Sequence, residues 1–316
     1  MKKKSFFLLI IIFFLILLVA ACKKEEEEKE FIYIRSSAVG GSWYTGSTAW
    51  AKLITENTKF TAVNIASPGL TVENITKIAA DEAHLAFVNA FGAYTAYKGE
   101  GIWRNPVEIR ALFGIWAGIH NIIVDEKSGI KDIYGLKGKS IATYVDGDLT
   151  GDAFIELLAM HGVTPENTRI HRVMKNDGTR MFIDKRIDCI IYAIGHAHTR
   201  LKEITMSKNI RFILGDTKHI ETWLEKYPYY SYRAFGSEFG IEDNYQFGFT
   251  YFAICLASLP EDQAYLFTKV WYESWDYLME ALPAHMPSIN KQNPMEGIPI
   301  PIHPGAERYF KEIGLM

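Results

Sequence analysis

The chain has 316 residues, 48% of them hydrophobic and 22% charged, with a formal net charge of −3. That length accommodates two lobes of ordinary domain size, and the composition is that of a folded chain. The near-balanced charge excludes the basic surface that a nucleic-acid binder needs.

In chain order, Lys2–Lys4 form a basic start and Phe6–Ala21 run apolar. Val19-Ala20-Ala21-Cys22 then sets small residues before a cysteine. The run is shorter than the roughly 20 apolar residues of a spanning helix and ends in a cleavage-type sequence. It resembles the bacterial lipobox, which implies removal of residues 1–21 and lipidation of Cys22. An uncleaved anchor would serve the same topology. Residues 22–30 carry a charge run, Lys23–Glu30, without an apolar residue, and read as a solvated tether. The expected location is extracytoplasmic, lipid-anchored to the cell membrane or outer membrane.

From Phe31 onward strand-like and helix-like patterns alternate. Phe31–Arg35 reads as a strand, and Gly40-Gly41-Ser42-Trp43-Tyr44 as a turn into a helix around Ser47–Asn57. Thr61–Ala66 and Leu85–Val88 read as strands, each followed by a helix, Thr71–Asp81 and Ala90–Lys98. Ile109–Phe113 and Asn121–Val124 read as two separate β-branched stretches. The pattern restarts at Gly138–Thr143, with a helix ending near His161 and strands at Arg169–Val173 and Asp188–Ile194. Phe247–Leu256 is a long strand that returns the chain, and Glu261–Ala281 is helical. Such alternation implies an α/β fold with a mainly parallel sheet covered on both faces. We expect lobe 1 to comprise 31–141 plus 247–316, and lobe 2 to comprise 142–246. Cys189 and Cys255 lie in apolar strand-like runs and read as buried free thiols.

Chemistry-bearing motifs are sparse. Gly138-Lys139-Ser140 ends like a phosphate-binding loop, but such a loop needs glycine where the chain has Ile133. No zinc-protease pair, paired CxxC or nucleophile elbow occurs. His196 and His198 alone do not close a zinc site, which takes three protein ligands or more. The expectation is a binding protein without cofactor or metal, and not an enzyme.

Three turns stand where strands hand over to helices, the place where open α/β sheets bind ligands. The first contributes Gly41, Ser42, Trp43 and Tyr44, with paired glycines that let backbone approach a ligand. The second contributes Ser67 and Thr71, the latter also suited to capping a helix. The third, Asp146-Gly147-Asp148-Leu149-Thr150, contributes Asp148, Leu149 and Thr150. Asn89 and Tyr245 complete the candidate ligand-binding set. Arg35, at the end of the first strand, is a candidate counter-charge.

Gly-Gly-x-x-Tyr after the first strand, Glu73-Asn74, Leu85-Ala86-Phe87-Val88-Asn89, Ser128-Gly129-Ile130 and Leu136-Lys137-Gly138-Lys139 occur in order. The tail adds Ile300-Pro301-Ile302-His303-Pro304-Gly305-Ala306. Together they resemble the TAXI-type solute-binding proteins of tripartite ATP-independent periplasmic (TRAP) transporters. The resemblance implies a two-lobed type II periplasmic-binding-protein fold that closes on a small solute, an amino acid or organic acid, and delivers it to a TRAP-type permease. At the third turn the family commonly has Gly-Ser-Gly-Thr, whereas this chain has Gly147-Asp148-Leu149-Thr150. Asp148 either caps the helix after it or pairs with a cationic group of the solute, which would suit an amino acid better than a dicarboxylate. The rival functions are a sensory or adhesive surface lipoprotein and an extracytoplasmic enzyme on a binding-protein fold.

Overall fold

The computed structural model describes residues 30–67, 70–146, 149–193, 199–235, 244–283 and 291–316. The segments around Cys22, Asp148, His196 and His198 lie outside them. The strands are β1 (Phe31–Arg35), β2 (Thr61–Ile65), β3 (Leu85–Asn89), β4 (Ile109–Asp125), β5 (Ser140–Thr143), β6 (Arg169–Arg172), β7 (Cys189–Ala193), β8 (Ile210–Phe212), β9 (Ser231–Phe235) and β10 (Asn244–Leu256). The helices are α1 (Ser42–Asn57), α2 (Leu70–Ala79), α3 (Ala90–Lys98), α4 (Leu149–Met160), α5 (Lys175–Ile183), α6 (Thr199–Ser207), α7 (Thr217–Lys226), α8 (Glu261–Glu273), α9 (Trp275–Ala281) and α10 (Pro304–Glu312). None of the described helices is long and apolar enough to cross a membrane.

All strands join one sheet in the order β2-β1-β3-β10-β4-β7-β5-β6, with β8 on β4 and β9 on β10. Two parallel units, β2-β1-β3 and β6-β5-β7, are joined through the antiparallel pair of long strands β4 and β10. The register shifts where Tyr251 gives way to Phe252 and again after Ala253, within the stretch of β10 that pairs with β3, so the long pair is irregular beside the first unit. The first part of β4 pairs with β10 beside β3, whereas His120–Val124 pair with β7. The first crossing thus lies within β4, ahead of the division expected at 141/142. The two stretches expected at Ile109–Phe113 and Asn121–Val124 are one strand.

One core lies wholly in the first unit, one wholly in the second, and a third runs across both. In α1 the buried positions Trp43, Gly46, Ser47, Trp50, Leu53 and Ile54 recur at helical spacing and turn one stripe to the sheet. Trp50 is completely buried, stacked on Phe87 at 5.7 Å and edge-on to Phe113 at 5.1 Å, and its indole N–H donates to the Phe267 carbonyl at 3.0 Å. The second unit packs Phe154, Trp223, Tyr230 and Phe247 together, with the Trp223 indole donating to the Ala153 carbonyl at 2.8 Å. Cys189 and Cys255 are buried, free, and pushed up as acids by burial.

The His303-Pro304-Gly305-Ala306 tail has a structural explanation. His303 caps α10 by accepting the Gly305 amide at 3.1 Å, Pro304 takes a first-turn position, and Ala306 is buried. A Cβ on Gly305 would press on the Glu261 carbonyl and approach the Tyr265 amide to 2.8 Å. Gly305→Ala is therefore expected to separate α10 from α8 and cost about 1–3 kcal/mol, as overpacking does. Urea unfolding checks it; an unchanged midpoint would contradict the close approach.

Candidate functional site

Parallel strands end where their helices begin, so a cavity between the two units collects helix N-termini. A cavity of about 500 Å³ lies there, walled by residues of both units. From the first unit come Trp43, on the first turn of α1, and Asn89, whose side chain caps α3 by accepting the Gly92 amide at 2.7 Å. The second unit supplies Tyr144 and Val145 after β5, Thr150 near the start of α4, Val173–Asn176 at the start of α5, Ala193, and Arg200 near the start of α6. The long strands add His120 from β4 and Phe249 and Tyr251 from β10.

Aromatic rings form one side of the space. Trp43 meets Tyr251 edge-on at 5.1 Å, and Tyr251 meets Phe249 at 5.3 Å. The charged groups among the described wall residues are both cations, Lys175 and Arg200. The Lys175 ammonium lies 5.4 Å from the centre of the Tyr144 ring and donates to the Ala193 carbonyl at 3.4 Å. Arg200 donates to the Asn176 side-chain oxygen. Helix α5 has Met174 at its N-cap, a residue whose side chain makes no cap hydrogen bond. The first amides of α5 carry the positive end of the helix dipole at the same cavity wall. Two cations and an uncapped helix start make the second unit's wall a receiver of negative charge.

The candidate residues separate into two groups. Trp43, Asn89 and Thr150 border the cavity; Gly41, Ser42, Tyr44, Ser67 and Thr71 are not part of its described wall. Helix α1 starts at Ser42 rather than near Ser47, so Trp43 and Tyr44 are helical residues, not turn residues. The Tyr44 amide donates to Ser37 Oγ at 3.1 Å and its carbonyl accepts from Asn64 at 3.1 Å, which ties it to the sheet side. Gly41 caps α1, where a Cβ would meet Ser37 Oγ at 2.5 Å. Ser67 accepts from Arg35 at 3.2 Å, and Arg35 pairs with Glu73, so the candidate counter-charge is engaged within the first unit. Thr71 lies inside α2 rather than at its cap, and its hydroxyl accepts the Asn89 amide at 3.1 Å. Thr71 thus supports a wall residue from behind. Leu149 opens α4 and Tyr245 lies in β10 opposite Ala234. Asp148 lies outside the described residues.

His120, Lys175, Asn176, Arg200, Phe249 and Tyr251 were not among the candidates. For Lys175 and Asn176 the signal existed: Met174-Lys175-Asn176 comes directly after the strand expected at Arg169–Val173, the same kind of handover as the three turns chosen. His120 carried none, because it stands inside a strand.

One group of possible metal ligands occurs among the described residues: His161, Asp216 and His219, with donor atoms within 4.8 Å of one another. Each is already engaged. His161 Nδ1 bonds to the Leu157 carbonyl at 2.7 Å, and its Nε2 accepts the Asp216 amide at 3.2 Å. Asp216 caps α7 with one oxygen and takes the Tyr134 hydroxyl at 2.6 Å and His219 Nδ1 at 2.5 Å with the other. The cluster is a hydrogen-bonded brace. The Tyr134 hydroxyl, followed by the His219 amide, holds the Asp216 carboxyl well below the usual carboxylate range. A lowered folded value adds stability at pH 7 that is lost as pH falls below the unfolded value of about 4. Asp216→Asn should therefore be less stable than the parent at pH 7, with the gap closing below about pH 4. Thermal melts across that range check it; an undiminished gap at about pH 3 would contradict the ionised brace.

A family model described as the NMT1-like family matches residues 34–314. Among solved structures, the chain is similar to one described as the periplasmic sulfonate-binding protein SsuA of a sulfonate ABC transporter from Methylobacillus flagellatus KT. Identity is 14% over 92% of this chain and 89% of that chain, with a TM-score of 0.54. It is similar to PhnD1 from Prochlorococcus marinus (MIT 9301), solved in complex with methylphosphonate, at 8% identity over 91% and 99% of the two chains and a TM-score of 0.53. XAC2383 from Xanthomonas citri, bound to ATP, aligns at 8% identity over 91% and 97%, with a TM-score of 0.51. At such identities the likeness shows the fold: the two-lobed architecture of periplasmic binding proteins, with a cleft between lobes.

Proposed function

We propose that this chain, which belongs to the NMT1-like family, is an extracytoplasmic receptor that captures a small organic anion between its lobes and hands it to a membrane permease. The observation that carries the reading is the meeting of Lys175, Arg200 and the uncapped start of α5 on one cavity wall, opposite aromatic rings. Such a wall neutralises a carboxylate, sulfonate or phosphonate head, while the rings take an apolar body. Capture needs no bond made or broken: the lobes close by bending β4 and β10 where the long pair passes from β3 towards β7. Of the two solute classes expected, the described wall favours an organic acid over an amino acid, because no acidic group among the described wall residues faces an ammonium. A thermal-shift panel of carboxylates, sulfonates, phosphonates and amino acids tests this. Stabilisation by amino acids alone would overturn it and favour the pairing role for Asp148.

The permease we propose is of the TRAP type, as the TAXI-like motif set implies. The likeness to an ABC-transporter SsuA speaks to fold alone. Uptake abolished by an ionophore and indifferent to ATP depletion would support it; the reverse would make the partner an ABC importer. Cys22 is proposed to carry the lipid that keeps the receptor near its permease. Cys22→Ala should abolish fatty-acid labelling, and full labelling of that variant would overturn the anchor.

A further inference from the structure

Among the described rings of the cavity wall, Tyr251 is the one that keeps an open surface. Trp43, His120, Tyr144 and Phe249 border the same space but are buried. Tyr251 is half-buried, although its strand lies in the middle of the sheet between β3 and β4. With a strand on either side and Trp43 edge-on to its ring at 5.1 Å, the surface it leaves open is the one facing the cavity.

The ring also leans towards the second unit. In the ladder Tyr251 stands opposite Asn89 on β3 and Trp116 on β4, yet its phenol end lies over Gly118, further along β4 in the direction of His120. A Cβ at Gly118 would fall on the Tyr251 hydroxyl and the carbon that bears it, so glycine here is what leaves room for the phenol. From His120 onward β4 pairs with β7 of the second unit. The hydroxyl is therefore directed along the cavity floor from one unit towards the other.

That hydroxyl is unused by the fold. No described residue gives it a hydrogen bond, and it stays open to the cavity instead of being sealed beneath the surface. The Tyr144 hydroxyl, on the same wall, is by contrast engaged with the Ala193 amide at 2.5 Å. Burial of most of the Tyr251 ring pushes the phenol up as an acid, so it keeps its proton at pH 7.

We infer that the Tyr251 hydroxyl is a ligand group, kept free to bond a hydroxyl on the body of the bound anion, so that the receptor prefers hydroxylated organic acids to their alkyl counterparts. This rests on the organic-anion reading. The second unit's wall takes the head through Lys175, Arg200 and the first amides of α5, and the phenol meets the body on the floor between the units. A phenol both donates and accepts, and so does an alcohol. A methyl group in the alcohol's place would leave the phenol unpaired, and a site built around a hydrogen bond rejects an analogue that cannot make it.

Calorimetry with matched pairs separates this from the anion reading. The probes are 5-hydroxypentanoate against hexanoate, 4-hydroxybenzoate against 4-methylbenzoate, and 4-(hydroxymethyl)benzoate against 4-ethylbenzoate. At least one pair is expected to differ about tenfold or more in favour of the hydroxy acid. In Tyr251→Phe that difference should shrink to about twofold or less, with the alkyl acid bound about as it is by the parent. The substitution keeps the ring against Trp43 and Phe249 and removes a hydroxyl that holds nothing, so the unliganded melting temperature should stay that of the parent. A melt lowered by several degrees would show a hydroxyl already committed to the fold and would overturn the inference. Anions bound without discrimination, or a preference that survives in Tyr251→Phe, would overturn it too while leaving the anion reading in place. Binding of no anion at all would remove the anion reading and this inference with it.

Discussion

Lys175→Met and Arg200→Gln are each expected to weaken binding of the anionic solute by about tenfold or more, the value of a hydrogen bond to a charged group. The magnitude comes from position. Lys175 is the first residue of α5 and Arg200 the second of α6, and both are half-buried on the wall of a cavity that has aromatic rings on another side. Because the two cations act on one head group, their effects should not add, and the double variant measures the coupling. Neither residue belongs to a hydrophobic core, so the unliganded melting temperature should stay close to that of the parent. Titration calorimetry of the three variants decides it. Affinity within about twofold of the parent in the double variant would remove the cations from the site.

Trp50→Ala is expected to cost about 3–5 kcal/mol of stability, the usual range for deleting a large buried aromatic side chain. Trp50 is the hub of the first core: its ring contacts Phe87, Phe113 and Trp271, and its N–H satisfies the Phe267 carbonyl on α8. The substitution therefore opens a cavity and removes the hydrogen bond that ties α1 to α8. Denaturant unfolding checks the magnitude; a loss below about 1 kcal/mol would mean the core closes over the gap.

Most of the architecture was legible because burial writes itself into composition. Leu85–Val88 in β3 and Ile190–Tyr192 in β7 are apolar runs, as strands covered on both faces must be. The length of β4 was hidden because Gly114 and Gly118 fall between its two β-branched stretches. Each instead admits a close neighbour: a Cβ on Gly114 would lie 3.2 Å from the Pro294 carbonyl, and one on Gly118 would press on the Tyr251 ring. Helix α5 escaped notice for the opposite reason. Lys175-Asn176-Asp177-Gly178-Thr179-Arg180 is almost wholly polar, and only Phe182 among its large apolar side chains is buried. A helix start this polar looks, in sequence, like a surface loop.

The site was half legible for a related reason. Strand-to-helix handovers are visible, so Trp43, Asn89 and Thr150 could be chosen, but which side of a helix start faces the cleft is set by packing. Tyr44 comes directly after Trp43 but is not part of the described cavity wall; Thr71 turns its hydroxyl to the Asn89 amide. His120 was invisible because its place on the cavity wall comes from the crossing of β4 between the two units, a property of topology and not of neighbouring residues.

Capture of negative charge at the second unit's helix starts is tested most directly by a crystal structure of the protein with a stabilising organic acid bound. The acid's charged head is expected within hydrogen-bonding distance of Lys175, Arg200 and the first amides of α5, with its body against Trp43 and Tyr251. A head group seated instead on the Ser67–Thr71 side of the first unit, with Lys175 and Arg200 facing solvent, would contradict it.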